Sequence, residues 1–239
     1  MRITYLEHSG FLVELQEKIL IFDYYKGQIP EISKEKRVFV FVSHAHHDHF
    51  SKEIFKWSDK YQKITYILSD DICISPEIIE TYARLKKGYN IFQIGPRQEL
   101  QIDEMKIRTL RSTDQGVAFF IEVNCKIFYH AGDLNWWHWE DEGEVYNEMM
   151  RRKYQYEIDK IQDRHIDVAF VPLDSRQKKQ SYLGMDYFMK HTQTEVVFPM
   201  HMWGQYEAYD WLMKNPEADI YKKKVMQVTG PQQKFDLKE

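Results

Sequence analysis

The chain has 239 residues, 43% hydrophobic and 29% charged, which is the make-up of an ordinary globular protein with one large core or two small ones. A net charge of -4 and a pI near 6.2 argue against a general nucleic-acid binder. Two cysteines, Cys73 and Cys125, are too few for a disulfide scaffold and read as free thiols in a reducing compartment.

Residues 2–7, 11–15 and 19–22 are short β-branched or aromatic runs, separated by Ser9-Gly10 and by Gln16-Glu17-Lys18, and predict three strands. The first of them alternates like a strand and shows no signal peptide. A fourth strand, 38–42, is apolar throughout, as a strand covered on both faces should be. Ser51 is placed to cap a short helix running toward Ser58, and strand 64–68 follows. A helix over 76–86 would start on Pro76 and stop before Gly88.

Further strands are predicted at 91–94, 98–102 and 105–110, and 117–123 with 126–130 reads as a hairpin across Asn124-Cys125. Tyr146, Met150, Tyr154, Ile158 and Ile161 then recur at helical spacing within 143–164, a stripe suited to core packing. The rest alternates: strand 167–171, helix 185–191, strand 195–199, helix 205–214, and late strands at 224–228 and 233–236. No linker or repeat interrupts 1–239, so a single domain is expected, with two sheets face to face and helices outside. No apolar run approaches the roughly 20 residues of a membrane span. A cytoplasmic protein that engages no membrane is the expectation.

The densest chemistry is His44-Ala45-His46-His47-Asp48-His49, directly after the apolar strand 38–42. Imidazole and carboxylate suit zinc and neighbouring divalent metals, and a rigid strand ending in such a loop lets ligands converge. Asp133, Asp174 and His201 each follow a predicted strand as well, where catalytic groups are commonly held. Gly132 permits the tight turn that would aim Asp133 inward. The neighbouring Trp136, Trp137 and Trp139 cannot all face one core, so some should line a pocket. Trp136 and His138 are candidates for contacting substrate there. Arg176, Lys178 and Lys179 could offer positive charge to an anionic substrate.

The order His44-x-His46-x-Asp48-His49, then Gly132-Asp133, then His201 resembles the metallo-β-lactamase superfamily of metal-dependent hydrolases over nearly the whole chain. The opening Tyr5-Leu6-Glu7-His8-Ser9-Gly10-Phe11 resembles its branch containing ascorbate-6-phosphate lactonase. The resemblance implies an α/β fold, the αββα four-layer sandwich, with metals at one edge. It implies one metal position from His44, His46, a middle histidine and Asp133. A second position would use Asp48, His49 and His201, with Asp133 bridging. Asp23 would be the early structural aspartate, and His8 would lie in a loop near the site.

The middle histidine is missing: Ser112 stands where it would align, in Arg111-Ser112-Thr113-Asp114. Asp114 could complete the first position, the position could stay empty, or His8 or His130 could substitute. One or two divalent ions are therefore expected, zinc first, with manganese or iron as alternatives. The implied activity is hydrolysis of a small-molecule ester, lactone or phosphoester, with Asp48 and Asp133 as catalytic carboxylates. A non-catalytic metal-binding protein and a phosphodiesterase or nuclease are the alternatives. Self-association is left open.

Overall fold

The computed structural model describes residues 1–76 and 91–238, so the helix predicted over 76–86 lies, beyond Pro76, outside the described residues. The chain forms two compact units, Met1–Gly95 with Gly230–Glu239, and Pro96–Thr229. Each is built on one mixed sheet.

The first unit holds β1 (Arg2–Glu7), β2 (Gly10–Glu14), β3 (Lys18–Phe22), β4 (Arg37–Val42), β5 (Ile64–Ser69), β6 (Ile91–Ile94) and a late strand, β13 (Lys234–Asp236). Their order is β13-β1-β2-β3-β4-β5-β6. β1, β2 and β3 form an antiparallel meander, whereas β3 to β6 run parallel. Val38 to Val42 of β4 are all buried, which accounts for a run without polar alternation. One side of the core gathers Leu12, Ile19, Val38, Val40, Ile64 and Tyr66. Ser51 caps as expected, its Oγ accepting from the Glu53 amide at 3.3 Å. The element it opens is a 3-10 turn, Lys52–Lys56, that passes into the single α-turn α1 (Trp57–Lys60).

The second unit holds β7 (Glu99–Ile102), β8 (Met105–Arg111), β9 (Val117–Val123), β10 (Lys126–His130), β11 (His165–Pro172) and β12 (Gln193–Met200). Their order is β12-β11-β10-β9-β8-β7. The β9–β10 hairpin turns on Asn124 and Cys125, both at positive φ (52° and 57°), as a two-residue primed turn requires. The amphipathic stripe forms α2 (Glu144–Ile158) and a following 3-10 turn, Asp159–Ile161, with Met150, Tyr154, Ile158 and Ile161 buried. α3 (Leu183–His191) connects the parallel strands β11 and β12, and α4 (Glu207–Lys214) follows β12. Tyr154 of α2 donates to the Gly184 carbonyl of α3 at 2.7 Å, and Tyr129 of β10 stacks on Phe188 of α3 at 4.7 Å.

One predicted strand is corrected. Residues 224–228 make no strand: Val225 forms a lone bridge to Val197, and Met226 donates to Val197 at 2.8 Å. The 3-10 turn Lys222–Lys224 delivers the chain to β12 for that one pairing only. Among the described residues, no helix is long and apolar enough to cross a membrane. Both cysteines are free and exposed.

Strand direction places the chemistry. Two antiparallel steps separate β1 from β3, so β1, β3 and β4 all point the same way. His8, Asp23 and residues 43–49 therefore leave their sheet at its carboxyl edge. By the same reasoning β8, β10, β11 and β12 point one way in the second sheet. Ser112, Asp133, Asp174 and His201 follow their carboxyl ends, the edge at which open α/β sheets bind ligands.

Candidate functional site

In the first unit the motif residues are held from below by Asp23, which is fully buried. Its Oδ1 accepts the Ser43 amide at 2.7 Å, and its Oδ2 accepts the Ser43 hydroxyl at 2.6 Å. The same Oδ2 lies 2.7 Å from His49 Nδ1. A carboxylate only accepts, so His49 Nδ1 carries the proton and Nε2 the lone pair. Ser43 has spent its one proton on Asp23, so its Oγ accepts from His44 Nδ1 at 2.9 Å. His44 thereby also presents a basic Nε2. One buried carboxylate thus fixes the tautomers of two histidines, the arrangement that orients imidazole ligands toward a metal.

The turn after β4 closes through the His49 and Phe50 amides, which donate to the His46 carbonyl at 3.1 and 2.9 Å. It gathers the rings of His44, His46 and His49, with His44 centred 4.5 Å from His46 and 4.2 Å from His49. His46 is half-buried and His47 is exposed. His8 Nε2 lies 3.3 Å from Asp48 Oδ2, and His8, Asp48 and His49 each offer a ligand atom within 4.8 Å of the others. Burial pushes the Asp48 carboxyl up, but the His8 hydrogen bond, the electrostatic influence of the neighbouring His49 and its own backbone amide hold it well below the ordinary carboxylate range. It is a carboxylate at neutral pH. His8 was expected at a loop near the site, and it belongs among the ligand-type groups of this cluster.

In the second unit, His201 and Asp133 are both buried, with His201 Nε2 3.3 Å from Asp133 Oδ1. His201 Nδ1 donates to Asp174 Oδ2 at 2.9 Å, so here too a buried carboxylate directs Nε2 outward. Asp174 is held in turn by Arg176, whose Nε lies 3.0 Å from each carboxylate oxygen and whose amide donates to Oδ1 at 2.9 Å. Burial raises the Asp174 carboxyl, while the bonds from His201 and Arg176 outweigh it and lower it. The Arg176 guanidinium sits over the rings of Trp203 (4.7 Å) and Trp139 (5.7 Å).

The Asp133 loop is pinned through its backbone. Gly132 adopts φ 52°, the conformation that frees Asp133 to turn in. Thr113 Oγ1 lies 3.2 Å from the Asp133 carbonyl and 2.7 Å from that of Asn135, and accepts the Asn135 amide at 3.0 Å. Trp137 Nε1 donates to the Asp133 carbonyl at 3.1 Å. Asn135 Nδ2 donates to Gln177, which donates to the Trp136 carbonyl at 2.9 Å. Gly184 of α3 has no room for a side chain: an added Cβ would stand 1.9 Å from Asn135 Oδ1.

His8 (φ 54°), Asp23 (φ 41°) and His201 (φ 63°) all sit in the left-handed region. Such conformations cost on the order of 1–3 kcal/mol each and concentrate where a site dictates geometry. Lys178, within the 3-10 segment Ser175–Gln180, is strained likewise (φ 52°, ψ −120°).

The remaining expected residues are placed as follows. Ser112 is buried and its Oγ accepts the Asp114 amide at 3.0 Å, capping a tight turn that also pairs Ser112 with Gly116. Asp114 itself is exposed and joins no group of three or more ligand-type side chains among the described residues. His130 is buried, its Nδ1 accepting the Gly132 amide at 3.2 Å and its ring 5.8 Å from Phe170, so it packs beneath the Asp133 loop. Trp137 is buried 5.5 Å from His201 and stacks on Trp139, whereas Trp136 and His138 line a cavity of about 670 Å³. Sequence reasoning missed Ser43, Thr113 and Gln177; only the position of Ser43 and Thr113 at strand ends signalled them.

The donor set fits a divalent cation of intermediate hardness: imidazole nitrogens and carboxylate oxygens, with buried acceptors ordering the rings. The family model described as "Beta-lactamase superfamily domain" matches residues 2–201, a span holding both clusters. Over 237 residues the chain is 24% identical to a UPF0173 metal-dependent hydrolase of Desulforamulus reducens, covering 97% of this chain and 95% of the relative. Among solved structures it is similar to Igni18, a novel metallo hydrolase from Ignicoccus hospitalis (TM-score 0.57, 19% identity, 99% of each chain). It is also similar to YhfI, a metallo-beta-lactamase fold protein from Bacillus subtilis (TM-score 0.60, 15% identity, 98% of this chain and 99% of that one).

Proposed function

This chain belongs to the metallo-β-lactamase superfamily and has its fold, and from that premise we propose that it is a metal-dependent hydrolase of a small-molecule ester, lactone or phosphoester. The observation that carries this reading is the pair of buried carboxylate–imidazole contacts, Asp23 with His49 and Asp174 with His201. Each spends buried polar groups on aiming an Nε2 lone pair, which a packing role does not require.

We assign the ligands to His44, His46, Asp48, His49, Asp133 and His201, holding one or two divalent ions, zinc first and manganese or iron as alternatives. When bound, such an ion supplies Lewis acidity that brings water toward ionisation near pH 7 and draws charge from the bond under attack. Asp48, held ionised and 3.3 Å from His8, is suited to orient the attacking water as a fixed hydrogen-bond acceptor, with His8 steadying the charged carboxylate. Asp133 is the second carboxylate, held by its backbone so that its side chain keeps one direction. Trp136 and His138, which follow Asp133 closely in the chain, are assigned to substrate contact. The free, exposed Cys73 and Cys125 accord with a cytoplasmic location.

The test is a metal-replete preparation assayed on ester, lactone, phosphomonoester and phosphodiester substrates. Turnover of a small ester, lactone or phosphomonoester that disappears in Asp133→Ala is expected. Turnover of phosphodiesters alone would overturn the substrate class; full activity in Asp133→Ala would overturn the site.

A further inference from the structure

In the second unit, the 3-10 segment Ser175–Gln180 and helix α4 border another cavity, of about 550 Å³. None of the assigned metal ligands lines it. Its walls carry Tyr182, Trp211 and Leu212, and Lys178, Lys179 and Lys214 stand around it. Leu212 is buried, while the Trp211 indole is 43% exposed and presents an apolar face at the mouth of the cavity.

The lining carries cations and no carboxylate among the described residues. Lys178 is paired with Glu140 at 2.7 Å, but neither Lys179 nor Lys214 lies within ion-pair distance of a described carboxylate. Glu140, outside the lining, answers Lys178 and also feels the charge of Lys179, and Asp141 acts on Lys178. Lys214 has no such counter-charge among the described residues, so the rim keeps an excess of cations that favours a bound anion. The size suits one small ligand.

We propose that this cavity is a second binding site, for a small anion with a flat apolar body. Trp211, Tyr182 and Leu212 take the body, and Lys179 and Lys214 take the anionic group, whether carboxylate, sulfonate or phosphate. The reading stands on the cavity alone and survives or fails independently of the metal chemistry.

The experiment titrates the full, metal-replete chain with 8-anilinonaphthalene-1-sulfonate, read by fluorescence, against its neutral counterpart N-phenyl-1-naphthylamine. The expected result is saturable binding of about one sulfonate probe per chain, at least tenfold tighter than the neutral probe. Binding should weaken at least tenfold in Lys179→Ala/Lys214→Ala and in Trp211→Ala, and persist in Lys179→Arg/Lys214→Arg. All these side chains are exposed, and unchanged circular dichroism establishes that the variants fold. Equal affinity for the two probes, unaltered binding in the alanine variants, or the absence of saturable binding would each overturn the proposal.

Discussion

Asp174 accepts the Nδ1 proton of His201 at 2.9 Å while Arg176 grips both of its oxygens. The imidazole is therefore oriented by a carboxylate that is itself immobilised. Asp174→Asn keeps the shape but offers an amide that can donate to Nδ1 and invert the tautomer. Metal affinity should fall about 10–100-fold, the usual cost of losing such an orienting partner. Competition with a chromophoric chelator measures it, and wild-type affinity would contradict the role given to Asp174.

Asp23 serves more partners, and its loss should cost more. Asp23→Ala strands the Ser43 amide and hydroxyl and the His49 Nδ1 proton in a dry interior. Destabilisation of about 3–5 kcal/mol follows from breaking a buried charged network by removing one partner. Urea unfolding of the metal-free protein isolates this from metal binding. Ser43→Ala, which leaves Asp23 and His49 paired but takes the acceptor from His44 Nδ1, should cost less, about 1–3 kcal/mol.

Gly184→Ala probes the support under Asp133 without touching any charged group. The new Cβ meets Asn135 Oδ1 at 1.9 Å, so the Asn135 amide must leave Gln177 or α3 must move. Overpacking of this kind costs about 1–3 kcal/mol despite the better helix propensity of alanine. A thermal midpoint equal to or above wild type would show that the loop is softer than its bonds suggest.

Glu157 sets a pH dependence remote from any metal ligand. It is buried, yet accepts from Arg97 Nε at 3.0 Å, Lys160 at 3.0 Å and the Arg111 amide at 3.1 Å. Burial raises its carboxyl, and these bonds outweigh it and lower it from the ordinary value of 4.5. The folded state thus binds fewer protons than the unfolded one. Its contribution is complete above pH 4.5 and is lost as pH falls through the depressed folded value. Glu157→Gln should be about 2 kcal/mol less stable at pH 7. The gap to wild type should close on acidification, as denaturant unfolding at several pH values would show.

Chelation by EDTA should abolish turnover, and zinc or manganese should restore it. The same treatment should lower the thermal midpoint, because a metal bound only by the folded state stabilises by mass action. An unchanged midpoint and unchanged activity would remove the metal from both roles.

Much of this was legible in local sequence. The strand before the motif, the turn at Gly132 and the stripe of α2 are each fixed by neighbours within a few residues. Residues 224–228 form no strand because strand formation depends on what lies alongside, and the segment makes only an isolated bridge, Val225 with Val197. The supports of the ligands were hidden for a similar reason. Thr113 holds Asn135 from 22 residues away, and Gln177 from 42. Nothing in the composition around Thr113 or Gln177 announces those bonds. Ser112 was read as a vacancy in a ligand set, while its hydroxyl shapes the turn that delivers Thr113.

The carboxyl-edge placement of His8, Asp23, Asp133, Asp174 and His201 has an evolutionary corollary. Register and core are settled within the strands, while these five polar side chains sit in segments that begin after the last ladder bond. Exchanges at the exposed positions of these segments therefore leave the ladder register and the strand core untouched. Such a chain can diverge far in sequence while inheriting its frame intact.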